Sequence, residues 1–210
     1  MPTVGAGDTF TLTGSSELRI RRQLVDEDWT TGCMSTVNSV NQGFTFRRGY
    51  AECRAKLPAG DKGGWFAFWG TSELTYPPGT PNSERRGHAE IDFIEAYTDE
   101  MPGRAHYTAF IHNRGNPIPG GTTGDVQTPS HTPLASVADD TYHLFGVEIT
   151  DQWIIKYLDR VEISRLPLFN EVRLGGIHLL IDWAGNDDAA GPWASPSDVY
   201  IDYVKVWQKP

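Results

Sequence analysis

Within the stretch GHAEIDFIEAY (87–97), three carboxylates fall inside six residues: Glu90, Asp92 and Glu95. Carboxylates crowded on one surface can divide acid–base chemistry between them. Like charges held close cannot all ionise cheaply, so one of the group keeps a proton to donate. The spacing E-x-D-x-x-E alone is an ordinary coincidence in a chain with 27 acidic residues among 210. The filler carries more. Ile91, Phe93 and Ile94 are apolar and β-forming, and a strand sends alternate side chains to opposite faces. Glu90 and Asp92 then share a wet face, with Ile91 and Phe93 toward a core. A regular strand would next bury Glu95, at a cost on the order of several kcal/mol for an unpaired carboxylate. One surplus residue at Phe93–Ile94, a β-bulge, removes the conflict: both apolar side chains turn inward and Glu95 rejoins the other acids. The competing outcome is a strand that ends at Phe93.

With the bulge, Glu90 and Glu95 are spaced like residues four apart, about 13 Å between Cα atoms. Two leaning glutamates can close that to about 5 Å, the separation at which one carboxylate attacks a sugar's anomeric carbon and the other protonates the leaving oxygen. Asp92, between them, is too short to reach the same carbon but can hydrogen-bond Glu90.

The elements that must position these acids read as short strands. GYAECRAKLP (49–58) alternates, with Ala51, Cys53, Ala55 and Leu57 on one face. RAHYTAFIHN (104–113) puts His106, Thr108, Phe110 and His112 together. YHLFGVEIT, WIIKYLD and VEISRL follow as consecutive strands, the last two a hairpin around Asp159–Arg160. RIRRQ (19–23) reads as a strand with one wet face. The Gly-, Pro- and Thr-rich segment from Asn113 to Asp140 shows no strand pattern, and long loops of that kind are often functional. With about ten such strands and no convincing helix, the expected fold is all-β: a two-sheet antiparallel sandwich, one domain over residues 1–210. Polar strand faces rich in Tyr, Trp, His and Arg either line a groove on a concave side or are ordinary solvated surface.

The net charge of −9 leaves no basic surplus to meet phosphates, which argues against nucleic-acid and anionic-membrane partners. No stretch reaches the roughly 20 apolar residues of a membrane span, and MPTVGAGDTF lacks the charged leader and apolar run of a signal peptide. Cys33 and Cys53 lie ten residues either side of Gly43. If a hairpin turns there, a cross-strand disulfide is in reach; the alternative is two buried thiols acting as small hydrophobes.

Together these stretches resemble glycoside hydrolase family 16, whose signature is an acidic triplet on a strand, with or without a bulge residue. EIDFIE matches the bulged variant, which resembles laminarinases, agarases and carrageenases. FRRGYAECRAKLPAGDKGGWFAFWG, YHLFGVEITDQWIIKYLDRVEISR, HLLIDWAGN and VYIDYVKVWQ resemble further strands of the family in the right order. The resemblance implies a concanavalin-like jelly roll with an open groove. It implies Glu90 as nucleophile, Asp92 as supporting acid and Glu95 as general acid/base. It places Trp65, Trp69 and His112 along the cleft, with Arg54 in reach of the sugar. It further implies endo-cleavage of an extracellular polysaccharide by a monomer, with no catalytic cofactor and with Asp202 matching the ligand of a structural calcium.

The departures from the family are a short N-terminal counterpart, a long loop TSELTYPPGTPNSERRG, and Asp182-Trp183 where Asn-Leu is more usual. Trp183, Trp193 and Trp207 read as packing, and His106 and His143 as structural. Two other readings stay open: a lectin-like binding module on the same sandwich, and a metal held by His88, Glu90 and Asp92 with His106 or His112. Within the enzyme reading the substrate is a β-1,3-glucan, a red-algal galactan or a bacterial exopolysaccharide. The bulged signature with its Trp-rich approach leans to the β-1,3-glucan, while Arg47, Arg48, Arg54, Arg85, Arg86 and Arg114 keep a sulphated galactan open.

Overall fold

The computed structural model describes residues 9–25, 28–38, 42–59, 63–72, 90–98, 104–106, 110–111, 126–127, 137–185 and 196–209. They form two antiparallel sheets. The larger contains β1 (Phe10–Leu12), β2 (Leu18–Val25), β5 (Gly49–Lys56), β11 (Tyr142–Ile149), β12 (Trp153–Leu158), β13 (Val161–Pro167) and β15 (Ser197–Gln208) in the order β1-β2-β15-β5-β11-β12-β13, with β3 (Asp28–Thr30) also on β2. The smaller runs β4 (Gly32–Ser35), β14 (Ile177–Gly185), β6 (Gly64–Ser72), β7 (Glu90–Tyr97) and β8 (Arg104–His106). A separate pair joins β9 (Phe110–Ile111) to β10 (Val126–Gln127), so the Thr-rich segment contributes a strand of its own. One short helix, α1 (Asn170–Gly175), precedes β14.

Period-2 alternation decides which face is buried. On β5, Ala51, Cys53 and Ala55 point inward with Val147 and Phe145 of β11 and Ile201 of β15. From the other sheet come Phe66, Phe68, Ile91, Phe93, Ile94, Leu179, Ile181 and Trp183, all in the same core. The expected β12–β13 hairpin is present. Asp159 and Arg160 both adopt positive φ, 49° and 65°, as the favoured two-residue turn requires.

Two details needed the structure. Cys33 lies on β4 and Cys53 on β5, in different sheets; an antiparallel bridge joins Val37 to Gly43, but it does not extend to set the two cysteines opposite each other, and both thiols are free, Cys53 buried and Cys33 exposed. On β2 the wet face excludes Arg22, which shares the parity of Ile20 and is fully buried. Its guanidinium lies 5.0 Å from the Trp29 ring centre and 5.4 Å from that of Trp183, and it donates to the Gly63 carbonyl.

Candidate active site

The register between β6 and β7 settles the fate of Glu95. Thr71 pairs with Glu90, Trp69 with Asp92, Phe68 with Ile94 and Ala67 with Glu95; Phe93 has no partner, and the register shifts between Phe68 and Trp69. Phe93 is the surplus residue, and the strand continues through it to Tyr97. Residues opposite one another share a face. Because Thr71, Trp69 and Ala67 alternate along β6, Glu90, Asp92 and Glu95 stand in one row, about 13 Å from first to last Cα.

Burial drives this. Phe93 and Ile94 are 1% and 0% exposed, both inside the core. The Phe93 ring meets Phe68 edge-on at 5.0 Å. Gly70 admits it: a Cβ there would stand 2.9 Å from the ring's Cζ. The sequence WFAFWGTS thus leaves a gap where the bulge deposits its extra ring.

The neighbouring strands fill out the outer face. Across β14, β6 and β7 the register aligns His178–Thr71–Glu90, then Leu180–Trp69–Asp92, then Asp182–Ala67–Glu95, then Ala184–Trp65–Tyr97. On the far side, β8 sets His106 opposite Glu95. On the near side, β4 sets Cys33 opposite Asp182. Trp65 and Trp69 are therefore on the acids' face, as expected, and half-buried. Trp69 donates from Nε1 to Asp182 Oδ2 at 2.6 Å, which fixes the ring's orientation over the row. Burial, together with the hydrogen bond to Asp182, pushes the Cys33 thiol up to about 12.

Behind the strand lies a group that inspection of β7 does not reveal. Lys156 of β12 is wholly buried and donates from Nζ to the main-chain oxygen of Asp92 at 2.5 Å. Burial depresses its pKa to about 7, against the pull of Asp92 and Glu95 in the other direction. Its parity with Ile154 and Leu158 was the available signal: a lysine on the apolar side of its strand.

Other expected site residues fall elsewhere. Arg54 belongs to β5, in the other sheet, and points away from the core; its guanidinium lies 4.1 Å from the Tyr142 ring centre and reaches Asp202 Oδ2 at 2.5 Å. Strand parity, which made Arg54 polar, says nothing about which sheet it joins. That ion pair engages one oxygen of Asp202, the residue matched to a calcium ligand by the resemblance. Among the described residues no three His, Cys, Asp or Glu converge to hold an ion. His112, His88 and Trp193 lie outside the described residues. Trp183 is fully buried, as packing requires; Trp207 is 51% exposed and leans on Tyr50. His143 is structural, with Nδ1 2.8 Å from Asp159. His106, read as structural, instead has a register position beside the acids.

A two-sheet antiparallel sandwich with an acidic row on the outer face of its smaller sheet is the architecture on the page. It is the fold of glycoside hydrolase family 16. The chain superposes on a family 16 endo-glucanase from Bacteroides ovatus with a TM-score of 0.70 at 14% identity, covering 94% of this chain and 84% of that one. A laminarinase from Flavobacterium sp. UMI-01 gives 0.67 at 22% identity over 95% and 82% of the two chains. A protein described as a pseudo β-1,3-glucanase of Mycobacterium tuberculosis gives 0.65 at 19% over 97% and 79%. No family model and no curated protein matches the sequence.

Proposed function

We propose that the chain is a retaining endo-glycoside hydrolase of family 16 acting on a β-linked polysaccharide outside the cell, with β-1,3-glucan as the substrate class. The observation that carries this reading is the skipped partner of Phe93, which sets Glu90, Asp92 and Glu95 in one row. In the proposed reaction a Glu90 oxygen attacks the anomeric carbon while Glu95 gives its proton to the leaving glycosidic oxygen. The C–O bond breaks and a glycosyl ester forms on Glu90. Water then gives its proton to Glu95 and attacks the same carbon, releasing Glu90 and restoring the original anomeric configuration. Asp92 supports Glu90, and Trp69 offers its face to the apolar side of a sugar ring. The β-1,3 preference draws on the bulged signature, the Trp-bearing β6 and the fold shared with a laminarinase.

Two other readings each have an observation in their favour. A cavity of about 560 Å³ lined by Arg47, Arg48, Arg173 and Lys209 with Asp151 is strongly basic for so acidic a chain; no residue of β7 lines it, so it bears on a sulphated galactan only as a second contact for a long chain. The fold shared with a pseudo-glucanase favours a binding module without catalysis. Reducing-end release from laminarin, lichenan, agarose, porphyran and carrageenan separates the three. The proposal expects release from laminarin that is lost in Glu90→Gln and Glu95→Gln. Wild type and variants behaving alike on every glycan would overturn it.

A further inference from the structure

A buried ammonium is costly, and a methionine would fill the same space without charge. Lys156 nevertheless sits wholly inside the sandwich, on β12 of the larger sheet. Its ammonium donates to the Asp92 carbonyl, at the step where the β6–β7 ladder is interrupted by Phe93. Its own strand is irregular at the same level: the β12–β13 register shifts between Lys156 and Tyr157. Two register breaks, one per sheet, thus meet through a single ammonium-to-carbonyl bond. Flanking Lys156 on β11 and β13 are Val147 and Ser164, neither ionisable in this range. The charged groups that act on the ammonium are Asp92 and Glu95, both from β7.

We propose that Lys156 is a positioning residue for the acidic row: from beneath the strand it clamps the bulge by its main chain and sets a positive charge behind Asp92 that favours the ionised form of that carboxylate. This rests on the hydrolase reading for its consequence, but not for its test. A charge fixed behind a carboxylate favours the ionised form without occupying the face where a sugar would lie. A surface arginine would do the same at the expense of that space. The backbone bond resists the strand's reversion to a regular register, which would turn Glu95 inward.

The test compares Lys156→Met and Lys156→Gln with wild type. Carboxyl ¹³C titration of Asp92, assigned through Asp92→Asn, gives a readout that needs no activity. In Lys156→Met the midpoint of Asp92 should rise by about half a pH unit or more. On laminarin kcat should fall about tenfold or more with KM within about twofold. Lys156→Gln, which keeps a donor but no charge, should shift the midpoint as far yet lose less kcat. A folded Lys156→Met with an unmoved midpoint overturns the proposal. If neither variant folds, wild type alone decides. A Lys156 ¹³Cε midpoint far below the other lysines, with a matching inflection in the Asp92 signal, supports it; independent titrations overturn it. A shifted midpoint in a chain inactive on every glycan would sink the hydrolase reading and leave this one standing.

Discussion

The outer faces of the two sheets each hold buried carboxylates among aromatic rings, yet they are built for opposite ends. On the larger sheet Glu52 is 1% exposed and accepts from Tyr203 Oη at 2.8 Å, Tyr50 Oη at 3.0 Å and Arg160 Nε at 3.2 Å. Burial pushes its pKa up, but Arg160 and the two phenols outweigh that and hold it below the usual carboxylate range. On the smaller sheet the same-face neighbours of one acid along β7 are other acids, and Lys156 touches β7 from behind, on the main chain. Donors converging from β5, β15 and the β12–β13 turn lock Glu52 into one state. The row of acids on β7 instead has its cation underneath, against the main chain. Burial of a carboxylate is thus no sign of chemistry by itself; what surrounds it is.

The sharpest way to break this contrast is to remove the bulge. Deletion of Phe93 should abolish glycan cleavage, because Glu95 then takes the inward parity, and should lower Tm as the core loses a buried ring. Activity assays with thermal unfolding check both. Next come the acids themselves: Glu90→Gln or Glu95→Gln should cost about 10²–10⁴ in kcat with Tm nearly unchanged. Glu52→Gln should do the reverse, leaving kcat intact and costing about 1–2 kcal/mol in denaturant unfolding, a figure reduced because Arg160 is largely exposed.

The same substitution has a pH signature. A carboxylate with a depressed folded pKa contributes stability above its unfolded value, about 4.3, and loses it as pH falls through the folded pKa. Glu52→Gln should flatten the acid limb of the stability curve below about pH 4.3 relative to wild type.

A smaller effect is expected at Asp182→Ala. Trp69 loses its Nε1 partner, so KM should rise about fivefold with kcat little altered. Smallest of all, a reducing agent should leave Tm unmoved, because Cys33 and Cys53 are free thiols in separate sheets.

What was legible in the sequence was local. The parity conflict at Phe93–Ile94 foretold the bulge, and alternation in GYAECRAKL foretold the buried face of β5. Asp159–Arg160 between two apolar runs foretold a tight hairpin. What was not legible was which strand lies beside which. Nothing near Cys33 says that the chain changes sheets before Gly49. Asp182 meets Trp69 only because β14 inserts next to β6, 113 residues away in sequence. Arg54 was assigned a sugar because parity marks a face without naming its sheet. Arg22 and Lys156 carry the apolar parity of their strands, a signal present but easily read as noise, since burial of a cation makes sense only once Trp183 or the Asp92 carbonyl is in place.

The central claim, that the row on β7 is a working nucleophile and acid/base pair, is tested most directly by trapping the covalent intermediate. The chain would be incubated with a 2-deoxy-2-fluoro laminari-oligosaccharide bearing a good leaving group, and its peptides analysed by mass spectrometry. The account predicts one glycosyl adduct, on Glu90. A chain that cleaves laminarin yet carries no adduct, or carries it on another residue, would contradict it.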